Sequence, residues 1–201
     1  MVGRPNDPER ILLREVRAVD PRSGLDELRD VLVENGSVAE LAAPGTLGES
    51  DARTIDGHGR LVLTGAFFDP HVHLRSPGQE HKEDLETGTR AAAAGGYAGV
   101  IAMPNTEPVI DSPPLLRSLR DAAGRQALVP VGFLPAITIG LKGEQLTEMA
   151  ALREEGALGF TDDGKPVTSA GMLRKALQYQ RTAGGVVALH EEDPTLSLIH
   201  I

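Results

Sequence analysis

Two histidines one residue apart, His71 and His73, lie in the stretch Asp69-Pro70-His71-Val72-His73-Leu74-Arg75. If that stretch is extended, alternate side chains share a face. Both imidazoles then point the same way, about 6–7 Å apart along the strand. Two imidazoles at that separation can grip one metal ion. A His-x-His pair alone is a weak signal, since most such pairs bind nothing. Its weight comes from three other places in the chain: Met103-Pro104-Asn105, Asp162-Asp163 before Gly164, and His190 followed by Glu191-Glu192-Asp193. There is no cysteine, so any metal must be held by His, Asp, Glu or backbone oxygen. Imidazoles with a carboxylate suit zinc or a similar divalent ion. A carboxylate has two oxygens and could bridge a metal pair, and zinc lowers the pKa of its water to about 7, which makes a nucleophile near neutrality. Arg75 is always charged and forks well onto a carboxylate, although a surface arginine is the plain alternative. Asn105 can both donate and accept hydrogen bonds, or serve only as a turn residue.

The elements that must position these residues can be read from periodicity. Residues 10–63 look like short strands. Asn35-Gly36 between Asp30–Glu34 and Ser37–Leu41 is a hairpin signal, because both turn positions need positive φ. This small β module holds no cluster of ligand types, so its plain reading is packing. The apolar run Leu61–Phe68 reads as a buried strand entering the histidine pair. From there the texture becomes strand-helix alternation. Helices are expected over Glu83–Ala94, from Ser112 (as N-cap, with Pro113 in the first turn) to Gly124, over Glu144–Glu155, and from Ser169 to Arg181. Strands are expected over Tyr97–Met103, Ala127–Leu134, Ala157–Thr161 and Val186–Leu189. Parallel strands with helical crossovers make an open sheet or a (β/α)8 barrel. No strand is followed by a glycine-rich dinucleotide loop, which weakens the open nucleotide-binding sheet. The expected fold is therefore α/β: a (β/α)8 TIM-type barrel of the metal-dependent hydrolase kind over residues 65–201, incomplete, preceded by the β module over residues 1–64. All candidate ligands fall at strand ends on one rim, and a packed barrel has no structural reason to collect imidazoles and carboxylates there.

Composition sets the outer bounds. The chain has 201 residues, 40% hydrophobic and 24% charged, as a globular protein does. A net charge of −9 argues against a nucleic-acid or anionic-membrane surface. No apolar run approaches the ~20 residues of a membrane span, and the first residues, Met1 to Pro8, carry no apolar signal region. Together with the lack of cysteine this suits a cytoplasmic protein.

The motifs also carry a resemblance. Gly65-Ala66-Phe67-Phe68-Asp69-Pro70-His71-Val72-His73-Leu74-Arg75, followed by Pro77-Gly78-Gln79-Glu80-His81-Lys82-Glu83-Asp84, resembles the metal-binding signature of dihydroorotases in the amidohydrolase superfamily. Met103-Pro104-Asn105-Thr106, Phe160-Thr161-Asp162-Asp163-Gly164 and Ala188-Leu189-His190-Glu191-Glu192-Asp193 are similar to three further segments of that family, in the same order. The β module resembles the superfamily's small sandwich domain. The resemblance implies that His71 and His73 bind one zinc ion, that Asp163 bridges two, and that His190 binds the second. It implies that Arg75 and Asn105 hold the carboxylate of dihydroorotate. The reaction implied is reversible hydrolysis of dihydroorotate to N-carbamoyl-L-aspartate in pyrimidine biosynthesis. Strand parity alone does not say whether Asp162 or Asp163 faces inward; only the family motif selects Asp163. Dihydropyrimidinase-like relatives bridge their metals with a carbamylated lysine, and Lys165 lies too far past the strand end to match.

A barrel typically needs about 250 residues. The family's sixth-strand histidine and its eighth-strand general-base aspartate have no counterpart before residue 201, and His200 is too close to His190 to lie on the next strand. The expectation is an N-terminal part of a longer enzyme, inactive on its own, with no catalytic acid-base residue inside this span. The tail Leu196–Ile201 does not continue the pattern. Two alternatives remain: another cyclic amidohydrolase, allantoinase- or hydantoinase-like, and a non-catalytic scaffold subunit of aspartate carbamoyltransferase. The partners to consider are the small-molecule substrate, a second copy in a homodimer, and aspartate carbamoyltransferase.

Overall fold

A computed structural model describes residues 10–48 and 51–193. The first residues and the tail with His200 lie outside them. The chain divides into two compact units between Ala66 and Phe67. Among the described residues no helix is long and apolar enough to cross a membrane.

The first unit is built on β1 (Arg10–Asp20), which pairs antiparallel with β2 (Leu25–Glu34), itself paired with β3 (Ser37–Ala42). The Asn35-Gly36 turn forms as expected, with φ of 51° and 74°. The other edge of β1 is shared. Ile11–Arg14 take β4 (Arg53–Asp56) and Arg17–Val19 take β5 (Val62–Thr64), both parallel. Between these two partners β1 bulges: its register on β2 jumps from Leu13 to Val16, and Glu15 has φ 48°. The fully buried Asp30 holds this bulge, accepting hydrogen bonds from Glu15 N at 3.0 Å and Gly45 N at 2.8 Å.

The second unit alternates strand and helix: β6 (Phe67–Val72), α1 (Leu85–Ala94), β7 (Tyr97–Ala102), α2 (Pro113–Gln126), β8 (Val131–Phe133), α3 (Met149–Glu154), β9 (Gly159–Phe160), α4 (Ala170–Ala183) and β10 (Val186–Val187). Every strand pair in it is parallel, in the orders β6-β7-β8 and β9-β10. Backbone bonds from Leu158 N to Phe133 O and from Thr161 N to Pro135 O, both 3.0 Å, tie the β9 segment to the β8 segment. The helices bury Leu85, Leu116, Ala123, Met149, Leu152 and Ala176 against Val100, Val131 and Phe160 of the strands.

Several expectations are corrected. Leu61–Phe68 is not one buried strand. It contains β5 of the first unit and the start of β6, separated by Gly65-Ala66, and Leu61, Val62, Phe67 and Phe68 are exposed. Glu144–Glu155 is helical only from Met149; ahead of it Leu146 forms a β-bridge with Thr138. Ser112 precedes α2 but makes no side-chain cap bond. The other three helices and the four strands after the histidine pair stand where expected, the strands shorter.

α1 begins at a capping box that the acidic run before it hides in sequence. Asp84 accepts from Thr87 N at 2.7 Å, and Thr87 Oγ1 accepts from Asp84 N at 3.1 Å. The bond from the Thr87 N–H holds the Asp84 carboxyl below its usual value. The depressed value means that its contribution is present above the ordinary carboxylate pKa and lost as pH falls through the folded one. Asp84→Ala is expected to cost about 1 kcal/mol at neutral pH and progressively less in acid, read by denaturant unfolding at several pH values.

Candidate metal centre

β6 ends at Val72, and the pleat puts His71 and His73 on one side of it, with ring centroids 5.2 Å apart. His71 Nε2 lies 3.2 Å from Asp163 Oδ1, and His73 Nε2 lies 3.6 Å from Asp163 Oδ2. His190, delivered by the segment after β10, brings Nδ1 to 3.5 Å from Asp163 Oδ1. The side chain of Asp163 is 7% exposed, whereas those of His71, His73 and His190 are 53%, 31% and 31% exposed. A buried carboxylate thus forms the floor, and three imidazoles reach it from the open side.

The two aspartates after β9 face opposite ways, as successive residues of an extended chain do. Asp162 turns into the protein and accepts hydrogen bonds from Ile137 N at 2.8 Å, Thr138 N at 3.0 Å and the Thr138 hydroxyl. Burial pushes its carboxyl above the ordinary value, while the bonds from Thr138 and Ile137 pull the other way. Asp163 is left facing the imidazoles. Gly164 then turns the chain at φ 81°, close under Asn105, whose Nδ2 would stand 3.4 Å from a Cβ there.

Asn105, in the loop after β7, reaches both sides of the site. Its Oδ1 is 2.9 Å from His73 Nδ1 and its Nδ2 is 3.5 Å from Asp163 Oδ2. The carboxylate can only accept, which fixes the amide: Nδ2 donates to Asp163, and Oδ1 accepts from His73 Nδ1–H. Neutral His73 then has a bare lone pair on Nε2, facing an anionic oxygen. A cation between them satisfies both. The donor atoms of His71, His73 and Asp163 all lie within 4.8 Å of one another. Nitrogen and carboxylate donors so gathered fit a divalent ion of the zinc type.

The structure therefore gathers His71, His73, Asp163, His190 and Asn105. Arg75 follows His73 at φ 57°, a left-handed conformation uncommon for a residue with a side chain and concentrated at functional positions; among the described residues it makes none of these contacts. Two residues named in the sequence motifs take roles that the sequence left unassigned. One is Asp162, whose inward direction needed the strand register. The other is Glu192, whose Oε2 lies 2.9 Å from His190 Nε2; its i+2 spacing from His190 was the available signal.

The fold is shared with solved structures of hydantoinases. The structure is similar to that of L-hydantoinase (dihydropyrimidinase) from Arthrobacter aurescens, with TM-score 0.76 and 26% identity over 94% of this chain and 42% of that one. A D-hydantoinase shares the fold at TM-score 0.69, covering 91% of this chain and 40% of that one. The chain belongs to the dihydro-orotase-like family, whose model matches residues 59–198. It is 45% identical to dihydroorotases of Geobacter sulfurreducens and Geobacter metallireducens and 39% identical to that of Lactococcus lactis, over 92% of this chain in each case. It spans 43% of the length of each of these relatives. The family read from the four sequence motifs is the same one.

Proposed function

We propose that the protein is a zinc-dependent dihydroorotase, opening dihydroorotate to N-carbamoyl-L-aspartate and closing it in reverse. The observation that carries this is the convergence of His71, His73 and His190 on the buried Asp163, in a chain of the dihydro-orotase-like family. His71 and His73 would hold one ion, His190 a second, and Asp163 would bridge them. Zinc bound there supplies Lewis acidity and a water-derived nucleophile near neutral pH.

The remaining work belongs to the chain. Arg75 binds the substrate carboxylate as a fork. Asn105 keeps its second Nδ2–H for the same carboxylate while its oxygen holds His73. Asp162 holds the β9 end fixed, so that Asp163 does not swing with the turn that follows. The architecture proposed around the site is a (β/α)8 barrel to which residues 65–201 contribute the first part, with a small β-sandwich over residues 1–64. A cytoplasmic location is proposed with it, as are assembly as a homodimer and association with aspartate carbamoyltransferase.

The test is a chelation and substrate experiment on the whole protein. Removing metal is expected to abolish turnover of dihydroorotate, and adding zinc back to restore it. The likeness to hydantoinase structures makes hydantoin the informative competitor. Turnover of hydantoin or allantoin without dihydroorotate would replace the substrate assignment, and full activity after complete demetallation would remove the metal from the mechanism.

A further inference from the structure

The imidazoles of His73 and His190 approach Asp163 through different nitrogens, and each has its other nitrogen held by a different side chain. His73 presents Nε2 and is held at Nδ1 by Asn105. His190 presents Nδ1 and is held at Nε2 by Glu192, at 2.9 Å. An ionised carboxylate only accepts, so the Glu192 contact places the proton of neutral His190 on Nε2. The lone pair on Nδ1 is then aimed at Asp163 Oδ1, 3.5 Å away. A cation between the two atoms, a metal ion or the second ring proton that a metal would displace, satisfies both.

We infer that Glu192 is a positioning residue for His190, the counterpart of Asn105 at His73, and that the pair sets opposite tautomers at the two sides of one metal centre. The inference rests on the metal-centre reading above. Its physical content is that a ring free to rotate and to exchange tautomers must pay for both on binding, whereas a ring held by an outer partner is already in the binding form and is more basic. Glu192 is half-buried, and the His190–Glu192 pair sits in a short stretch after β10 with little regular structure to fix the ring by packing. The carboxylate supplies the orientation that the backbone there does not.

The experiment compares the whole protein with Glu192→Leu, Glu192→Gln and the neighbouring control Glu191→Leu. Co²⁺ affinity is read by competition with a chelator, the Co²⁺ absorption spectrum reports the ligand field, and the melting temperature of the metal-free forms reports the fold. Glu192→Leu is expected to weaken Co²⁺ binding by roughly 10–100-fold and to alter the spectrum. Glu192→Gln keeps an acceptor for Nε2–H and is expected to retain the parent spectrum with most of the affinity. Glu191→Leu should match the parent. Parent-like binding and spectrum in Glu192→Leu would overturn the inference while leaving the metal centre standing, and so would a Glu192→Gln variant as impaired as Glu192→Leu. A parent protein that takes up no metal would overturn the metal-centre reading and this inference together.

Discussion

In the whole protein, on the dihydroorotase function proposed above, Asp163→Ala is expected to abolish metal uptake and to lower turnover of dihydroorotate by about 10³-fold or more, with the fold intact. The size follows from what converges on one carboxylate. His71, His73 and His190 all point a nitrogen at Asp163 within 3.2–3.6 Å. Removing it takes away the shared anionic ligand and leaves three neutral donors around a gap. Among the described residues the carboxylate accepts from no backbone N–H, so the metal-free variant should melt within a few degrees of the parent. Metal content by mass spectrometry, turnover and a melting curve in chelator together decide it. Tight zinc in Asp163→Ala would show that the imidazoles suffice and that the carboxylate is not a ligand.

Asp162→Ala is expected to do the reverse. The side chain is 2% exposed in residue terms and satisfies two buried backbone N–H groups and a hydroxyl. Its loss strands those donors in a segment where every residue from Val131 to Thr138 is buried. At ~1–3 kcal/mol for each donor left unpaired, the expected destabilisation is about 3–5 kcal/mol. That corresponds to a fall of roughly 10 °C in the melting temperature of a chain this size. Asp162→Asn keeps an acceptor oxygen and should recover part of the loss. If Asp162→Ala melted like the parent but bound no metal, the two neighbouring carboxylates would have to exchange roles.

That contrast marks where sequence stops being sufficient. The parity of His71 and His73 was legible, because the period of a strand is two whatever its length. The helices around Ala91 and Ala176 were legible from the glycine pairs that stop them, the latter also from its Ser169 cap, and the helix around Leu116 from the proline in its first turn. The direction of Asp162 against Asp163 was not, because it depends on the register of β9, a strand of two residues fixed by its neighbours rather than by its own pattern. Leu146, Met149 and Leu152 have helical spacing, yet Leu146 is taken by a bridge to Thr138; a tertiary contact overrides local preference there. The run Leu61–Phe68 looked continuous because hydrophobicity does not record which of two units a residue serves. The outer partner of His73 was hidden for a related reason. A hydrogen bond between Asn105 and His73 joins residues far apart in sequence, and no period announces it.

The all-parallel pairing of the second unit bears on how quickly the protein reaches its native state. Adjacent parallel strands cannot be joined by a tight hairpin; each pairing waits for a crossover to fold behind it. The contacts that assemble the rim, from His71 to Asp163 and on to His190, span long stretches of chain, and the entropy of closing those loops must be met before any contact rewards it. High contact order of this kind is associated with refolding in milliseconds to seconds rather than microseconds. The rim that gathers the candidate ligands is therefore a late product of the folding reaction. If the proposed metal binds there, it should slow unfolding far more than it speeds refolding, acting as a latch on a finished structure and not as its nucleus.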